Sequence, residues 1–351
     1  MNERFQSLVY GVVLALAVGW VLHVGKKIFE PVVLSILVVY VIVGLTRLLY
    51  RIPVLGPRLP MKVHYALSIL VIALALMAMA SLIMTNLTRV ATLAPQYQAT
   101  LLNMIQKGAA RFGFESEPTW ATLRRDLLGQ VNMQRLIGST VMSITSIAAS
   151  LIVVFLYVAF LLVEQRSLPN KLAHISDEPR NVAQLQKIIV HINQRVGTYL
   201  ALKTLLSLLT GLVSWAVMAF FGLEFAAFWA VLITLLNYVP YIGSFLSVFF
   251  PMAFAIVQYG DTDTVLMLVI ALSVPQFFIG NFLDPYLMGN SLNLSPFAIL
   301  ISLTVWSALW GIPGAFLAVP ITACLTMVFS EFPGTRPIAV LLSRSGDLEE
   351  N

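Results

Sequence analysis

Ile28–Leu48 reads IFEPVVLSILVVYVIVGLTRL. Between Pro31 and Arg47 it carries no charge, and it is long enough to cross the roughly 30 Å hydrocarbon core of a bilayer as a helix. Glu30 and Pro31 fit its first turn. There a missing proline N–H costs nothing and a carboxylate meets the positive helix end. A second apolar run, Phe5–Val24, precedes it across Gly25-Lys26-Lys27, a spacing that predicts a tight helical hairpin. Ala15-Leu16-Ala17 resembles a signal-peptide cleavage site, but the run continues through Trp20 and Leu22 and another apolar helix follows at once. The first run reads as an uncleaved span.

The same signal recurs at His64–Leu87, at Ser139–Val163 and from near Thr198 to near Phe221. Composition agrees with it. The chain has 351 residues, 59% hydrophobic and 11% charged, against about 25% charged in soluble domains. Too few polar side chains remain to cover a wet surface, so the fold class is an all-α polytopic membrane protein. The net charge of +5 lies mostly at the ends and connections of the first two thirds, which is the positive-inside pattern rather than a nucleic-acid surface. By that pattern the N-terminus, the Arg47–Lys62 loop and the Arg166–Arg195 segment share the cytoplasmic side. Cys324, the single cysteine, fits a small packing residue in an apolar helix.

These features divide the chain into a hairpin plus third span (1–87), an amphipathic lobe with helices at Arg89–Phe112 and Thr119–Leu136 (88–138), and a fourth span (139–163). A charged amphipathic helix (164–197), a translocation unit (198–335) and a cytoplasmic tail (336–351) follow. From Thr204 to Thr335 there is no Lys, Arg or His. In that unit the apolar runs are interrupted three times. Phe225–Leu236 is too short to cross and stops at Asn237-Tyr238-Val239-Pro240-Tyr241-Ile242-Gly243. Gln276–Pro296 contains Asn281, Asp284-Pro285, Gly289-Asn290 and Asn293. Gly311-Ile312-Pro313-Gly314 parts Phe297–Trp310 from Ala315–Phe329.

Such interruptions free backbone carbonyls that lipid cannot satisfy. They form either extramembrane turns or broken, re-entrant helices of the kind that present dipoles to a solute. On the second reading Asn237, Tyr238, Pro240, Tyr241, Gly243, Gln276, Asn281, Asp284, Asn290 and Asn293 line a substrate or ion pathway. Pro285, Gly289, Pro296, Gly311, Pro313, Gly314 and Pro320 then serve as hinges or breaks. Asp284 is the ionisable residue of most interest, since a carboxylate at membrane depth is costly and usually functional. Asp before Pro is also a common turn opener. No phosphate-binding Gly-rich loop ending in Lys-Ser/Thr and no His-Glu-x-x-His is present. The four histidines all precede Lys203, so no enzyme activity, cofactor or metal is expected.

At Asn237–Gly243, at Asn281–Ser295 and at Gly311–Pro320 the sequence resembles the AI-2E transporter family, the autoinducer-2 exporters or PerM-like permeases. The tail Pro337-Ile338-Ala339-Val340-Leu341-Leu342-Ser343 is similar to its autoinducer-2 branch. Asn237, Pro240 and Gly243 match the family's Asn-x-x-Pro-x-x-Gly break, and Gly289, Gly311, Gly314 and Pro320 match its later glycines and proline. The resemblance implies about eight transmembrane helices with breaks in the C-terminal half, an inner-membrane location and cytoplasmic termini. It also implies a homo-oligomer, a pentamer in the family, that exports a small polar solute such as autoinducer-2. Sodium (cation)/proton antiport and a non-transporting scaffold or regulator are the alternatives. Many members of the family it resembles carry a basic residue where this chain has Tyr286 or Asn290. That leaves amides, hydroxyls and one carboxylate, suited to a neutral polar solute or a monovalent cation.

Overall fold

The computed structural model describes residues 3–51, 59–111, 150–165, 167–175, 178–288 and 292–348. Among them there is no β-strand, only one isolated bridge between Leu294 and Ser343. The order is α1 (Glu3–Val24), α2 (Lys26–Tyr50), α3 (Met61–Arg111), α4 (Ser150–Glu164), α5 (Leu168–Ala173) and α6 (Pro179–Phe220). It continues with α7 (Ala226–Leu236), α8 (Ile242–Tyr259) and α9 (Thr262–Phe278). A π-helical turn (Ile279–Leu283) then runs into α10 (Asp284–Met288), and α11 (Pro296–Glu331) and α12 (Arg336–Leu342) complete the chain. Six of the described helices are long and apolar enough to cross a membrane, and Val9–Val24, Ser150–Glu164 and Ala226–Leu236 are apolar but shorter. The all-α, multi-helix class is therefore the one observed.

Three boundaries differ from expectation, and the first is the one placed at 197/198, which α6 crosses as one helix, Pro179–Phe220. Gly25 alone joins α1 to α2, and its backbone is near-helical (φ −83°, ψ 10°). The junction is a bend of one helix into the next, where the sequence spacing predicts a tight hairpin. The helix expected at Arg89–Phe112 is the uninterrupted continuation of α3, which runs 51 residues. The helix expected at Thr119–Leu136 and the start of the fourth span lie outside the described residues.

The chain forms two compact units. The first takes Met1–Ser68, Ala149–Leu202 and Met288–Asn351; the second takes Ile69–Ala148 and Lys203–Leu287. The first has a core around Tyr199, Leu200, Leu294, Val319 and Ala323. Within it, Ser295 caps α11 by accepting from Ala298 N–H at 3.1 Å, and Pro296 fills the first helical position. α11 is not one rod. Gly311 is non-helical (φ 64°, ψ −136°), and Trp306 Nε1 donates to Thr322 Oγ1 at 3.1 Å although the two stand 16 residues apart. On a straight helix that separation is about 24 Å. The chain therefore doubles back, and the first limb, Pro296–Trp310, is only about 22 Å long. Trp310 Nε1 donates to the Leu22 carbonyl of α1 at 3.0 Å.

The second unit repeats the device. α7 has 11 residues and α8 has 18; they reverse through Asn237–Tyr241 and pack around Met218, Ile233, Ala255, Leu268 and Leu272. At the opposite end, Gln258 Nε2 donates to Gly222 O at 3.0 Å and Tyr259 O–H to Phe221 O at 2.9 Å. Asp261 caps α9 there, accepting from Thr264 N–H at 3.0 Å and Thr264 O–H at 2.7 Å. The Thr264 hydroxyl, and then its N–H, hold the Asp261 carboxyl below its usual range.

In both reversals a glycine sits against a backbone carbonyl. A Cβ on Gly243 would lie 1.9 Å from Leu236 O, and one on Gly314 would lie 1.9 Å from Trp306 O. Backbone cannot swing aside as a long side chain can. Gly243→Ala and Gly314→Ala should each cost about 1–3 kcal/mol, read as a lowered melting temperature in detergent. Gly334→Ala, where nothing lies within 4 Å, is the control that should leave it unchanged.

Candidate functional site

α6 is amphipathic in the reverse of the soluble sense. Lys203, Ser207, Thr210 and Ser214 recur at helical spacing and are all buried, whereas Leu205, Leu208, Leu212 and Trp215 are exposed. A helix that hides its polar stripe and shows its apolar one is suited to hydrocarbon surroundings. Lys203 and Ser207 of the hidden stripe, with the neighbouring Thr204, meet partners from the rest of the second unit, whereas Thr210 O–H donates to Leu206 O of its own helix at 2.8 Å.

Asn237 Nδ2 donates to Ser207 Oγ at 3.1 Å, and Tyr238 O–H donates to Thr204 Oγ1 at 2.7 Å. Lys203 Nζ bonds Asp284 Oδ2 at 3.1 Å, with side-chain exposures of 8% and 24%. The other carboxylate oxygen, Oδ1, is buried and has no hydrogen-bond partner among the described residues. Close backbone approach makes this seam possible. A Cβ on Gly211 would lie 1.9 Å from Thr234 Oγ1 and 3.0 Å from Ala230 O, so α7 rides directly on α6.

Lys203 stands 17 positions before the end of α6 at Phe220, a rise of roughly 26 Å. The seam thus lies at the end of the unit opposite the Gly222, Gln258 and Asp261 cluster.

Three of the residues singled out in the sequence, Asn237, Tyr238 and Asp284, converge here. Pro240 and Tyr241 form the adjoining turn. Tyr241 adopts φ 61°, ψ −58°, and Ile242 N–H reaches back to Pro240 O at 2.6 Å, a strained γ-turn for a non-glycine residue. Gly243 seats the turn on the Leu236 carbonyl.

Other candidates are used elsewhere. Gln276 is half-buried on α9. Asn281 is exposed and donates to Phe277 O, one turn back, at 3.0 Å. Asn293, at φ 45°, donates to Asp347 O at 2.8 Å and accepts from Arg344 N–H at 3.4 Å. With Ser295 N–H to Leu342 O at 2.9 Å, it fastens the tail to the start of α11 rather than facing Asp284. Pro285 follows Asp284 in α10, Pro313 and Pro320 lie in the second limb of α11, and Gly289 and Asn290 lie outside the described residues.

The residue that sequence reasoning missed is Lys203. It sits one position before the cation-free stretch, and its apolar neighbours disguise it as part of a span end. A Lys followed at one-turn spacing by Ser207, Thr210 and Ser214 was the available signal. Asp284 does open a helical turn, as an Asp-Pro pair would, and pairs with a cation as well.

Gly211→Ala should therefore push α7 off α6 and lower thermal stability in detergent. The double variant Gly211→Ala/Thr234→Ala should recover much of the loss. Equal damage in the single and double variants would show that the Thr234 hydroxyl is not what limits the approach.

Residues 10–334 match the model of the AI-2E family transporters. The chain is 28% identical to the AI-2 transport protein TqsA of Escherichia coli (strain K12) over 91% of its own length and 90% of the relative's. It is 34% identical to YhhT of the same organism over 62% of each chain. It is also 27% identical to the E. coli permease-type protein PerM over 59% of its length and 57% of the relative's. With the family model spanning nearly the whole sequence, this chain is a member of the AI-2E transporter family, a multi-pass membrane protein.

Proposed function

We propose that the chain is a secondary exporter of a small, uncharged polar solute, and that the seam on α6 is part of its route. The observation that carries this reading is a row of paired polar side chains, with Lys203, Ser207 and Asn237 buried and Thr204, Tyr238 and Asp284 half-buried, inside helices whose outward faces are apolar. Such a row lends the bundle cohesion through interhelical hydrogen bonds, but an ion pair is a costly way to supply it. Polar groups held within membrane helices mark solute and ion pathways.

The name of the full-length relative, an AI-2 transport protein, makes autoinducer-2 the first solute to try. The proposed setting is the inner membrane, with cytoplasmic termini. Exposed apolar residues on α6 and α9, such as Leu212 and Phe277, are available to lipid or to further copies of the chain in a homo-oligomer.

A second reading, cation/proton antiport, draws on the unpartnered Oδ1 of Asp284, since a carboxylate with a spare buried oxygen is a ligand for a cation. Proteoliposomes loaded with autoinducer-2 separate the two. Solute efflux should be seen with wild-type protein, and Asn237→Leu should slow it about tenfold, since it removes one hydrogen bond and leaves the Ser207 hydroxyl unpaired at roughly 1–1.5 kcal/mol. Sodium-driven alkalinisation without solute efflux would favour antiport instead. Neither flux in well-reconstituted protein would defeat both readings.

A further inference from the structure

We infer that Lys203 is a tethered cation occupying a monovalent-cation site whose anion is Asp284. The inference concerns the proposed route and rests on that reading for its role in transport, but the site itself is measurable without transport.

Its basis is an asymmetry in the pair. The ammonium engages Oδ2 at 3.1 Å, while Oδ1, itself buried, is left without a hydrogen-bond partner among the described residues. A carboxylate kept only to lock two helices together would have both oxygens satisfied, because each unsatisfied buried acceptor costs stability. Here half of the anion's capacity is kept open. Asp284 also follows directly on a π-helical turn, Ile279–Leu283, a local distortion that accompanies functional positions. No other Lys, Arg or His lies between Thr204 and Thr335, so Lys203 supplies the only positive charge that α6, α7, α8 and α9 bring to the second unit's core. Tyr238 is the other titratable group of the seam, and it is spent on Thr204.

The chemistry follows from charge and reach. An ammonium on a four-carbon stem and a dehydrated alkali ion each carry one positive charge, and oxygen ligands accept both. While Lys203 is seated, the seam is neutral and closed to cations from solution. When the side chain swings out, the carboxylate must recruit a replacement, and a monovalent cation with oxygen ligands fits. Occupation by Lys203 and by a free cation are mutually exclusive. That exclusivity is a means of linking cation entry to rearrangement of the seam.

The test uses the full chain, purified in detergent and melted in rising NaCl or KCl, with choline chloride holding ionic strength constant. Wild-type protein should melt at the same temperature throughout, since its own ammonium fills the site. Lys203→Met should melt lower in choline and regain several degrees in sodium or potassium, whereas Asp284→Asn and Lys203→Met/Asp284→Asn should show no such selectivity. A Lys203→Met protein that sodium and potassium stabilise no more than choline would overturn the inference. So would a wild-type protein with a selective response that Asp284→Asn removes.

Should Lys203→Met not survive extraction in choline, it should be recovered when extracted in sodium. Recovery of the double variant alone, in any salt, would mean that the pair only neutralises itself, and the inference would be wrong. Failure of the transport reading looks different: wild-type proteoliposomes would move no solute, whatever the melting curves show.

Discussion

Each of the two helix reversals depends on a glycine α-carbon pressed against a backbone carbonyl. Gly243 on Leu236 O and Gly314 on Trp306 O leave room for no side-chain atom. The contact is what lets a limb of 11 residues turn and lie beside its successor. In apolar surroundings such a turn also has to pair its own polar groups. The first break does so locally: Tyr238 N–H reaches Leu235 O, Val239 N–H reaches Leu236 O, Ile242 N–H reaches Pro240 O and Gly243 N–H reaches Val239 O. The strained backbone at Tyr241 is the cost of closing that set. Proline contributes by lacking an N–H that would otherwise need a partner.

Reversal at this point decides what faces α6. Because α7 ends at Leu236, Asn237 and Tyr238 arrive level with Ser207 and Thr204, and α8 then carries the chain back to Gly222 through Gln258. α9 starts from that same end, so its far end returns to the level of Lys203, where the π-helical turn delivers Asp284. The seam is thus assembled by three helix ends meeting one continuous helix. A bundle of full-length crossings would bring helix interiors, not ends, to the same place.

Much of this was legible in sequence, and the limits of legibility have physical causes. Long apolar runs announce helices because backbone satisfaction leaves hydrocarbon few other choices, so α2, α6 and α11 were readable. The breaks were readable too, since Pro240, Gly243, Gly311 and Pro313 are punctuation in any context. Which polar residues meet was not, because that depends on depth and rotation. Asn281 and Asn293 have the same side chain as Asn237. One donates to its own helix and the other ties down the tail, as local hydrogen bonds are always within reach of a short amide. Lys203 was hidden for a different reason. A cation at the edge of a hydrophobic stretch ordinarily snorkels to the interface, and only the position of Asp284 shows that this one turns inward.

The reversed polarity of α6 bears on why an ion pair stands here at all. Leu205, Leu208 and Leu212 face outward, while Lys203, Ser207 and Thr210 are buried alongside Leu206 and Met218, so polar contacts share with apolar packing the task of holding α7 and α9 against this face. In lipid the outward leucines gain nothing by leaving it, and association falls to close packing and interhelical hydrogen bonds. Gly211 against Thr234 supplies the packing, and Asn237, Tyr238 and Asp284 supply the bonds. The hydrogen bonds are individually modest, whereas parting Lys203 from Asp284 would leave two poorly solvated charges unpaired. A helix pair cemented by leucine would offer a polar solute nothing. On the route proposed above, the same few contacts would serve cohesion and passage, and the charged pair is the contact whose state an ion from solution would change.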